Sequence, residues 1–222
     1  MNLGITLVLV IITCLVSIPA FNQQKMIDDL IFYPPSIKRK QYYRFITHGF
    51  IHADAFHLAF NMLALYSFGQ NLEKVFSFPC VFGGLGKLFF LLLYLSGLIV
   101  ASIPDYLKYR DSFHFRSLGA SGAVSAVIFS MIIFFPQSKV SLFFLPGIPG
   151  YIFAIIYLAL SVYLDKRGGG NINHSAHFWG AAYGIVFTLV FCSLFATGFD
   201  VYDNFMTQIK SSTDDLVLIC ND

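Results

Sequence analysis

The sequence predicts an all-α membrane protein, a bundle of six membrane-spanning helices with a long interfacial first connection. Composition favours this class, because 57% of the 222 residues are hydrophobic and only 12% are charged. A water-soluble domain carries about twice that charged fraction. Six apolar stretches also approach the roughly 20 residues that a helix needs to cross the hydrocarbon core. They lie at residues 3–21, 55–72, 86–103, 119–136, 151–164 and 176–197.

The first stretch and the connection after it determine how the chain begins. Residues 17–20, Ser-Ile-Pro-Ala, could be a signal-peptide cleavage site. The basic residues that precede the apolar core of a signal peptide are missing. We therefore interpret residues 3–21 as the first membrane helix, with removal as the alternative. Residues 22–54 mix basic and aromatic side chains, which predicts a segment at the membrane interface.

The later connections are shorter, and charged residues lie inside the apolar stretches only near their ends, as the cost of burying charge in lipid requires. Residues 165–175 contain three consecutive glycines, which predicts either a mobile cap above the site or a plain flexible connector. We expect one membrane domain at residues 1–200 and a polar C-terminal tail at residues 201–222.

Charge and cysteine content exclude some partners. The net charge is +2 and no long basic run is present, so a nucleic-acid partner is not expected. The four cysteines, at positions 14, 80, 192 and 220, have neither metal-ligand nor disulfide-framework spacing. We therefore predict no metal and no cofactor.

A small-residue run, Leu-Gly-Ala-Ser-Gly-Ala-Val-Ser-Ala at residues 118–126, opens the fourth apolar stretch. Gly119 can adopt backbone angles that a residue with a Cβ resists. The chain can therefore turn sharply there and present Ser121 to a neighbour. Taken alone, small residues at this spacing indicate a helix-packing face, so a functional interpretation depends on polar residues elsewhere.

The second stretch carries two polar side chains on one face, because His57 and Asn61 are four residues apart. Such groups in a membrane helix turn towards another helix or towards water. One interpretation is a structural hydrogen-bonded pair. The other is that both side chains donate hydrogen bonds to an oxyanion, together with the Ser121 amide.

The sixth stretch begins near His177, which shares a helical stripe with Gly180 and Gly184. Gly-x-x-x-Gly spacing permits close approach of a neighbouring helix, and Gly122 gives the fourth stretch a matching small face. Docking these faces would bring the His177 imidazole within reach of the Ser121 hydroxyl. This is the arrangement that a nucleophilic serine requires.

If the stretches cross the membrane in turn, these polar residues lie on one side of it. No carboxylate lies in or beside the fourth or sixth stretch, so a Ser-His dyad is favoured over a triad. A zinc site formed by His174 and His177 with His52 or His57 is disfavoured, because the His-Glu-x-x-His pattern of metalloproteases is missing.

Together these motifs resemble the rhomboid family of intramembrane serine proteases. The resemblance rests on RFITHGFIH at residues 44–52, HLAFNM at 57–62, FG at 68–69, LE at 72–73, GASG at 119–122 and AHFWGAAYG at 176–184. It implies a six-helix fold whose partners are the lipid bilayer and single-span membrane proteins, which the enzyme would cleave as substrates.

Carried over to matching positions, the resemblance implies Ser121 as nucleophile and His177 as general base. His57, Asn61 and the Ser121 amide would form the oxyanion hole. The supporting positions would be His52, Gly119, Gly122, Gly180, Gly184 and Arg44. Arg44 would shape the first connection, and Glu73 would support packing below the second helix.

Two residues depart from the family's pattern. Tyr43 stands where many members have Trp, which leaves the interpretation of the first connection intact. Ser125, one turn after Ser121, stands where some members have an aromatic residue that stacks on the catalytic histidine. What orients His177 is therefore open, with a hydrogen bond to Ser125 or to water as candidates.

We expect a location in a bacterial cytoplasmic membrane, with the active site on the extracytoplasmic side as in most of the family. The basic residues disagree with that orientation, since ten of 14 lie on the active-site side and the positive-inside rule turns such a side inwards. The ten are Lys25, Lys38, Arg39, Lys40, Arg44, Lys108, Arg110, Arg116, Lys166 and Arg167, against Lys74, Lys87, Lys139 and Lys210.

Two other classes of function are alternatives. A catalytically silent rhomboid-like protein that binds membrane helices should have lost Ser121 or His177, yet both are present. A six-helix channel should have a polar face across the bilayer, whereas the polar residues here cluster at one depth.

Overall fold

The computed structural model describes residues 3–141, 146–168, 172–211 and 220, and it is mostly helical. Among these residues the α-helices are α1 (Ile5–Ala20), α2 (Gln24–Leu30), α3 (Pro34–Lys38), α4 (Arg44–Thr47), α5 (Ala55–Phe76), α6 (Gly86–Tyr109), α7 (Ser121–Phe134), α8 (Gly150–Arg167), α9 (His174–Phe195) and α10 (Val201–Ser211). Two short 3₁₀ helices cover His48–Phe50 and Gly83–Leu85. Strands β1 (Lys139–Val140) and β2 (Ile148–Pro149) pair antiparallel.

Each of the six predicted apolar stretches forms a long helix, namely α1 and α5 to α9, so the helical class is confirmed. Two segments of the described chain, Gly83–Tyr109 and His174–Phe195, are long and apolar enough to cross a membrane. Ile5–Ala20 and Ser121–Phe134 are apolar but shorter. Helices α6 and α8, formed by the third and fifth apolar stretches, extend beyond their predicted ends to Tyr109 and Arg167. Their last turns carry charged residues and continue the helix.

The first connection is an ordered element made of α2, α3, α4 and the 3₁₀ turn, and Arg44 stabilises it. The Arg44 side chain is buried. It donates hydrogen bonds to Gln41 Oε1 at 2.7 Å and to the carbonyls of Asp28 and Ile31 at 2.8 Å. One guanidinium therefore ties together three parts of this connection.

Helix α7 lies at the centre of the bundle and is almost entirely buried. A Cβ built on Gly180 of α9 would lie 2.1 Å from the Gly122 carbonyl oxygen. A Cβ on Gly184 would lie 2.2 Å from the Ala126 carbonyl oxygen. The two helices therefore touch backbone to backbone, as the small-residue spacing predicts, and the starts of α7 and α9 come together.

At the opposite end of the bundle, Glu73 near the end of α5 holds the start of α1. Its buried carboxylate accepts hydrogen bonds from the Ile5 amide at 2.8 Å, and from the Thr6 amide and hydroxyl at 2.9 Å. A helix N-terminus leaves its first amides without intrahelical partners, and a carboxylate satisfies them well. We call this region the Glu73 end.

The C-terminal part returns to the same end. Asn204 and Gln208 of α10 donate hydrogen bonds to the Phe134 carbonyl at the end of α7, each at 2.9 Å. Cys80 and Cys220 form a disulfide bond. Spacing could not indicate this pair, because the two cysteines are 140 residues apart. Cys192 is buried and Cys14 is half-buried, both as free thiols, as expected for small apolar side chains.

Two expectations reach beyond the described part of the chain. The predicted cap at residues 165–175 includes residues 169–171, which lie outside it. The predicted tail at 201–222 is described for α10 and Cys220 only.

Candidate active site

The backbone before Ser121 is held in a fixed path. Ser117 pairs with Phe32 of the first connection through two hydrogen bonds of 3.0 and 3.1 Å. The Gly119 amide donates to the His48 carbonyl at 2.9 Å, and Gly119 has φ +115°. A Cβ there would lie 2.7 Å from His57 Cε1. Both backbone angle and space therefore require glycine, which confirms the sharp turn expected before Ser121.

His52 connects this turn to α1. Its Nε2 accepts a hydrogen bond from the Ala120 amide at 3.3 Å, so Nδ1 carries the proton and donates to Ser17 Oγ at 2.9 Å. The Ser17 hydroxyl donates to the Phe50 carbonyl at 2.9 Å. Burial, followed by the charges of His57 and His48, lowers the pKa of His52 to about 3. His52 is therefore neutral at physiological pH, as this hydrogen-bond pattern requires.

His57 and Asn61 lie at the start of α5, close to the Gly119 turn. Asp54 caps the helix by accepting a hydrogen bond from the His57 amide at 2.8 Å. Asn61 is buried, and its Nδ2 donates to the His57 carbonyl at 2.9 Å. The rings of His52 and His57 meet edge to face at 5.0 Å. The structure thus places the His57 ring against the turn that precedes Ser121, with Asn61 one helical turn further along α5.

His177 lies one turn from the start of α9, at the end of the bundle that also holds Ser121. Its ring is edge-on to His174 at 5.9 Å and nearly parallel to Tyr157 of α8 at 6.3 Å, with 21° between the planes. In the described part of the chain, the Ser121 hydroxyl and the His177 ring do not hydrogen-bond to each other or to other groups. Catalytic hydrogen bonds are often long in a free enzyme and shorten in the complex.

Tyr157 is a site residue that sequence reasoning missed. Its hydroxyl lies 2.7 Å from Ser125 Oγ, so the described contacts of Ser125 lead to Tyr157 and not to His177. Helix α8 also contains Tyr151 and Tyr163, so no signal in the sequence singles out Tyr157.

Asn173 is a second residue that sequence reasoning missed, and it connects α6, the segment before Ser121 and the start of α9. Asn173 Nδ2 donates to Asp105 Oδ2 of α6 at 2.6 Å and to Ser117 Oγ at 3.0 Å. Its Oδ1 accepts from the Ala176 amide at 3.0 Å and caps α9. Asn173 therefore aligns α9, the helix that carries His177, with the segment before Ser121. An Asn just before an apolar helix is a cap signal that the sequence does contain.

His48 contributes to the same end of the bundle without reaching Ser121. It is buried, and its Nε2 lies 3.1 Å from Ser102 Oγ. Burial lowers the pKa of His48 to about 4. We call the region formed by the starts of α7 and α9 with His48, His52 and His57 the Ser121 end.

Other candidate features lie apart from this cluster. Among the described residues, no group of three or more His, Cys, Asp and Glu side chains could hold a metal ion. A cavity of about 600 Å³ lies between α5 and α7, lined mainly by apolar side chains such as Phe60, Phe68 and Phe135. Neither Ser121 nor His177 lines it.

Comparison with known proteins identifies relatives of the chain. A family profile described as "Rhomboid domain" matches residues 39–194. "RHOMBOID-like protein 12, mitochondrial" of Arabidopsis thaliana is 29% identical over 177 residues, which cover 73% of this chain and 50% of that protein. "Rhomboid protein 1, mitochondrial" of Saccharomyces cerevisiae is 34% identical over 149 residues, 64% of this chain and 40% of that protein.

A human relative, "Presenilin-associated rhomboid-like protein, mitochondrial", is 28% identical over 187 residues, 82% of this chain and 46% of that protein. The chain thus spans half or less of the length of these relatives. The predicted bacterial cytoplasmic membrane, with an extracytoplasmic active site, is wrong, since the relatives are mitochondrial proteins. Composition could not reveal this, because hydropathy does not distinguish one bilayer from another.

Proposed function

Since the chain belongs to the rhomboid family, we propose that it is an intramembrane serine protease with a Ser121–His177 dyad. The contact between α7 and α9 carries this proposal. Glycines at 180 and 184 allow the two backbones to touch, so the nucleophile at the start of α7 and the base at the start of α9 lie at one end of the bundle. Packing alone would not require a serine and a histidine at those two positions.

In the proposed reaction, the Ser121 hydroxyl attacks the carbonyl carbon of the scissile peptide bond while His177 accepts its proton. His177 then gives that proton to the departing amine, and an acyl-enzyme remains on Ser121. A water molecule, deprotonated by His177, then attacks the acyl carbon. The ester bond to Ser121 breaks, His177 returns the proton to the Ser121 oxygen, and the second product leaves as a carboxylic acid. His177 must therefore be neutral when the Ser121 hydroxyl or the water molecule attacks, and protonated when a leaving group departs.

The oxyanion of the tetrahedral intermediate would accept hydrogen bonds from the Ser121 amide, the His57 ring and Asn61 Nδ2. Asn61 Nδ2 carries two hydrogens, and one of them is donated to the His57 carbonyl. The second is left for the substrate. Because that internal bond fixes the carboxamide, the donor is oriented before the substrate arrives.

The substrates would be single-span membrane proteins. We propose that α1, α5, α6, α7, α8 and α9 cross the bilayer and that a substrate helix reaches the dyad laterally, between α5 and α8. A helical peptide bond is shielded, so the substrate must unwind locally. Segments with Gly or Pro near one end unwind most readily.

The relatives favour a mitochondrial membrane as the location. The ten-to-four distribution of basic residues then favours the matrix for the side that carries Ser121. The disulfide at the other end fits an oxidising compartment. Labelling single engineered cysteines at Leu3 and His114 from each side of isolated membranes would test this orientation. Modification of position 114 from outside the matrix would contradict it.

A catalytically silent protein that binds membrane helices is the second candidate, favoured by the missing hydrogen bond between Ser121 and His177. Cleavage of a model single-span protein by purified protein in lipid vesicles separates the two. We expect wild-type cleavage and a loss of about 10⁴-fold or more in Ser121→Ala, with unchanged thermal unfolding. Equal cleavage by Ser121→Ala would refute the nucleophile. Substrate binding without wild-type cleavage would favour the silent candidate.

A further inference from the structure

We infer that Tyr157 is a positioning residue that holds the imidazole of His177 from α8, an inference that rests on the proposed function. The aromatic position one turn after Ser121 is occupied by Ser125 in this chain. An aromatic ring nevertheless lies beside His177, and it comes from a different helix.

The contact between the two rings has the geometry of an offset stack. Their centroids are 6.3 Å apart and their planes differ by 21°, within the range of favourable aromatic pairs. The other ring beside His177, that of His174, meets it edge-on at 83°. Tyr157 therefore limits the tilt of the imidazole plane, which decides whether its nitrogen can face Ser121.

Tyr157 is itself held on several sides. Its hydroxyl lies 2.7 Å from Ser125 Oγ. The ring packs against Phe129 of α7 at 5.3 Å and against Phe153 of its own helix at 5.5 Å. Because these contacts fix the Tyr157 ring, it can hold the neighbouring His177 imidazole in one orientation. A loosely held ring could not do so.

Because Tyr157 lies on α8, the orientation of the His177 ring depends on how α8 packs against α7 and α9. The buried residues of α8 are Gly150, Phe153 and Ser161, and Tyr157 lies on the same stripe. Much of the rest of the helix is exposed on the protein surface, including Ile155 and Tyr163. The Ser125–Tyr157–His177 contact thus joins α7, α8 and α9 beside the dyad.

The test compares variants in lipid vesicles with the model single-span substrate. Tyr157→Leu removes the ring, and we expect kcat to fall between about 10- and 100-fold, as small misplacements of catalytic groups do, while KM stays unchanged. Tyr157→Phe keeps the ring and should lose less than about fivefold, the effect of one neutral hydrogen bond. Tyr202→Leu, the same change at an exposed site on α10, should match wild type.

The outcomes separate this inference from the proposed function. If the wild type cleaves and Tyr157→Leu retains its kcat, Tyr157 does not position the base. If Tyr157→Leu raises KM or lowers the unfolding temperature while kcat of the folded protein is unchanged, its role is packing and the inference is refuted. If the wild type itself fails to cleave and fails to label at Ser121, the proposed function fails and this inference falls with it.

Discussion

The two ends of the helix bundle bury polar side chains with different results. At the Glu73 end, the Glu73 carboxylate accepts three hydrogen bonds from the start of α1. At the Ser121 end, His52 and Asn173 are also hydrogen-bonded. Within the described part of the chain, however, the Ser121 hydroxyl and the His177 ring make no hydrogen bond.

This difference fits the proposed function, in which Ser121 and His177 are the reactive groups. Unpaired polar groups are costly in an apolar environment, so nearby groups must stabilise the end that contains them. Here the neighbours of the reactive groups are fixed instead: the Ala120 amide by His52, and the first turn of α9 by Asn173. The polar groups of the Glu73 end stabilise the fold, and those of the Ser121 end would hold the proposed nucleophile and base in place.

Outside the proposed dyad, the largest effect is expected at Gly184, where α9 packs directly against the backbone of α7. Gly184→Ala places a Cβ 2.2 Å from the Ala126 carbonyl oxygen and pushes α9 away from α7. We expect a loss of about 100-fold in cleavage and about 1–3 kcal/mol in unfolding free energy. Gly97→Ala is the matched control, since its Cβ would lie 3.4 Å from Ala123. Equal effects of the two changes would contradict this packing argument.

Acid should destabilise the protein through the Ser121 end, because all six histidines lie on that side in the proposed topology. Burial lowers the pKa of His48 to about 4, and that of His52 to about 3, whereas both titrate near 6.5 when unfolded. The unfolded chain therefore binds more protons below pH 6.5. Stability is full above that pH and falls towards pH 4, by about 1.4 kcal/mol per pH unit for each residue.

Unfolding in detergent as a function of pH measures this dependence. His48→Gln removes one buried titrating group, so the slope should fall by about 1.4 kcal/mol per pH unit. An unchanged slope in that variant would assign the acid sensitivity to other groups.

At the Glu73 end, the expected effect is on stability alone. Glu73→Ala removes the acceptor of three hydrogen bonds and should lower the free energy of unfolding by about 2–3 kcal/mol. Glu73→Gln keeps one oxygen acceptor and should lose less. Cleavage per folded molecule should stay at the wild-type level in both. A fall in kcat would show that the two ends are coupled.

The smallest effect is expected at Ser17, which links α1 to His52. Ser17→Ala leaves the Nδ1–H of His52 without its acceptor, so we expect a loss of about 1 kcal/mol in stability and a slower cleavage rate. Thr13→Val on the same helix is the control, since the Thr13 hydroxyl donates to the Leu9 carbonyl and contacts the Tyr94 hydroxyl, and no described hydrogen bond joins it to His52. Thermal unfolding and cleavage of both variants distinguish a specific link from a general loss of packing.

The sequence predicts the features of this fold that depend on local periodicity. Apolar runs indicate the long helices, and the glycine spacing indicates that α7 and α9 dock. Contacts between distant residues leave no such periodic signal. Tyr157 on Ser125, Asn173 on Asp105 and Cys80 with Cys220 are pairs of this kind. They become visible only when the helices are assembled.

Covalent labelling with a fluorophosphonate tests the central claim most directly, because the reagent reacts with a serine that a nearby base activates. In wild-type protein in vesicles, mass spectrometry should find the adduct on Ser121. In His177→Ala the labelling rate should fall by about 10⁴-fold or more at an unchanged unfolding temperature. An adduct on another residue, or equal labelling of Ser121 without His177, would contradict the account.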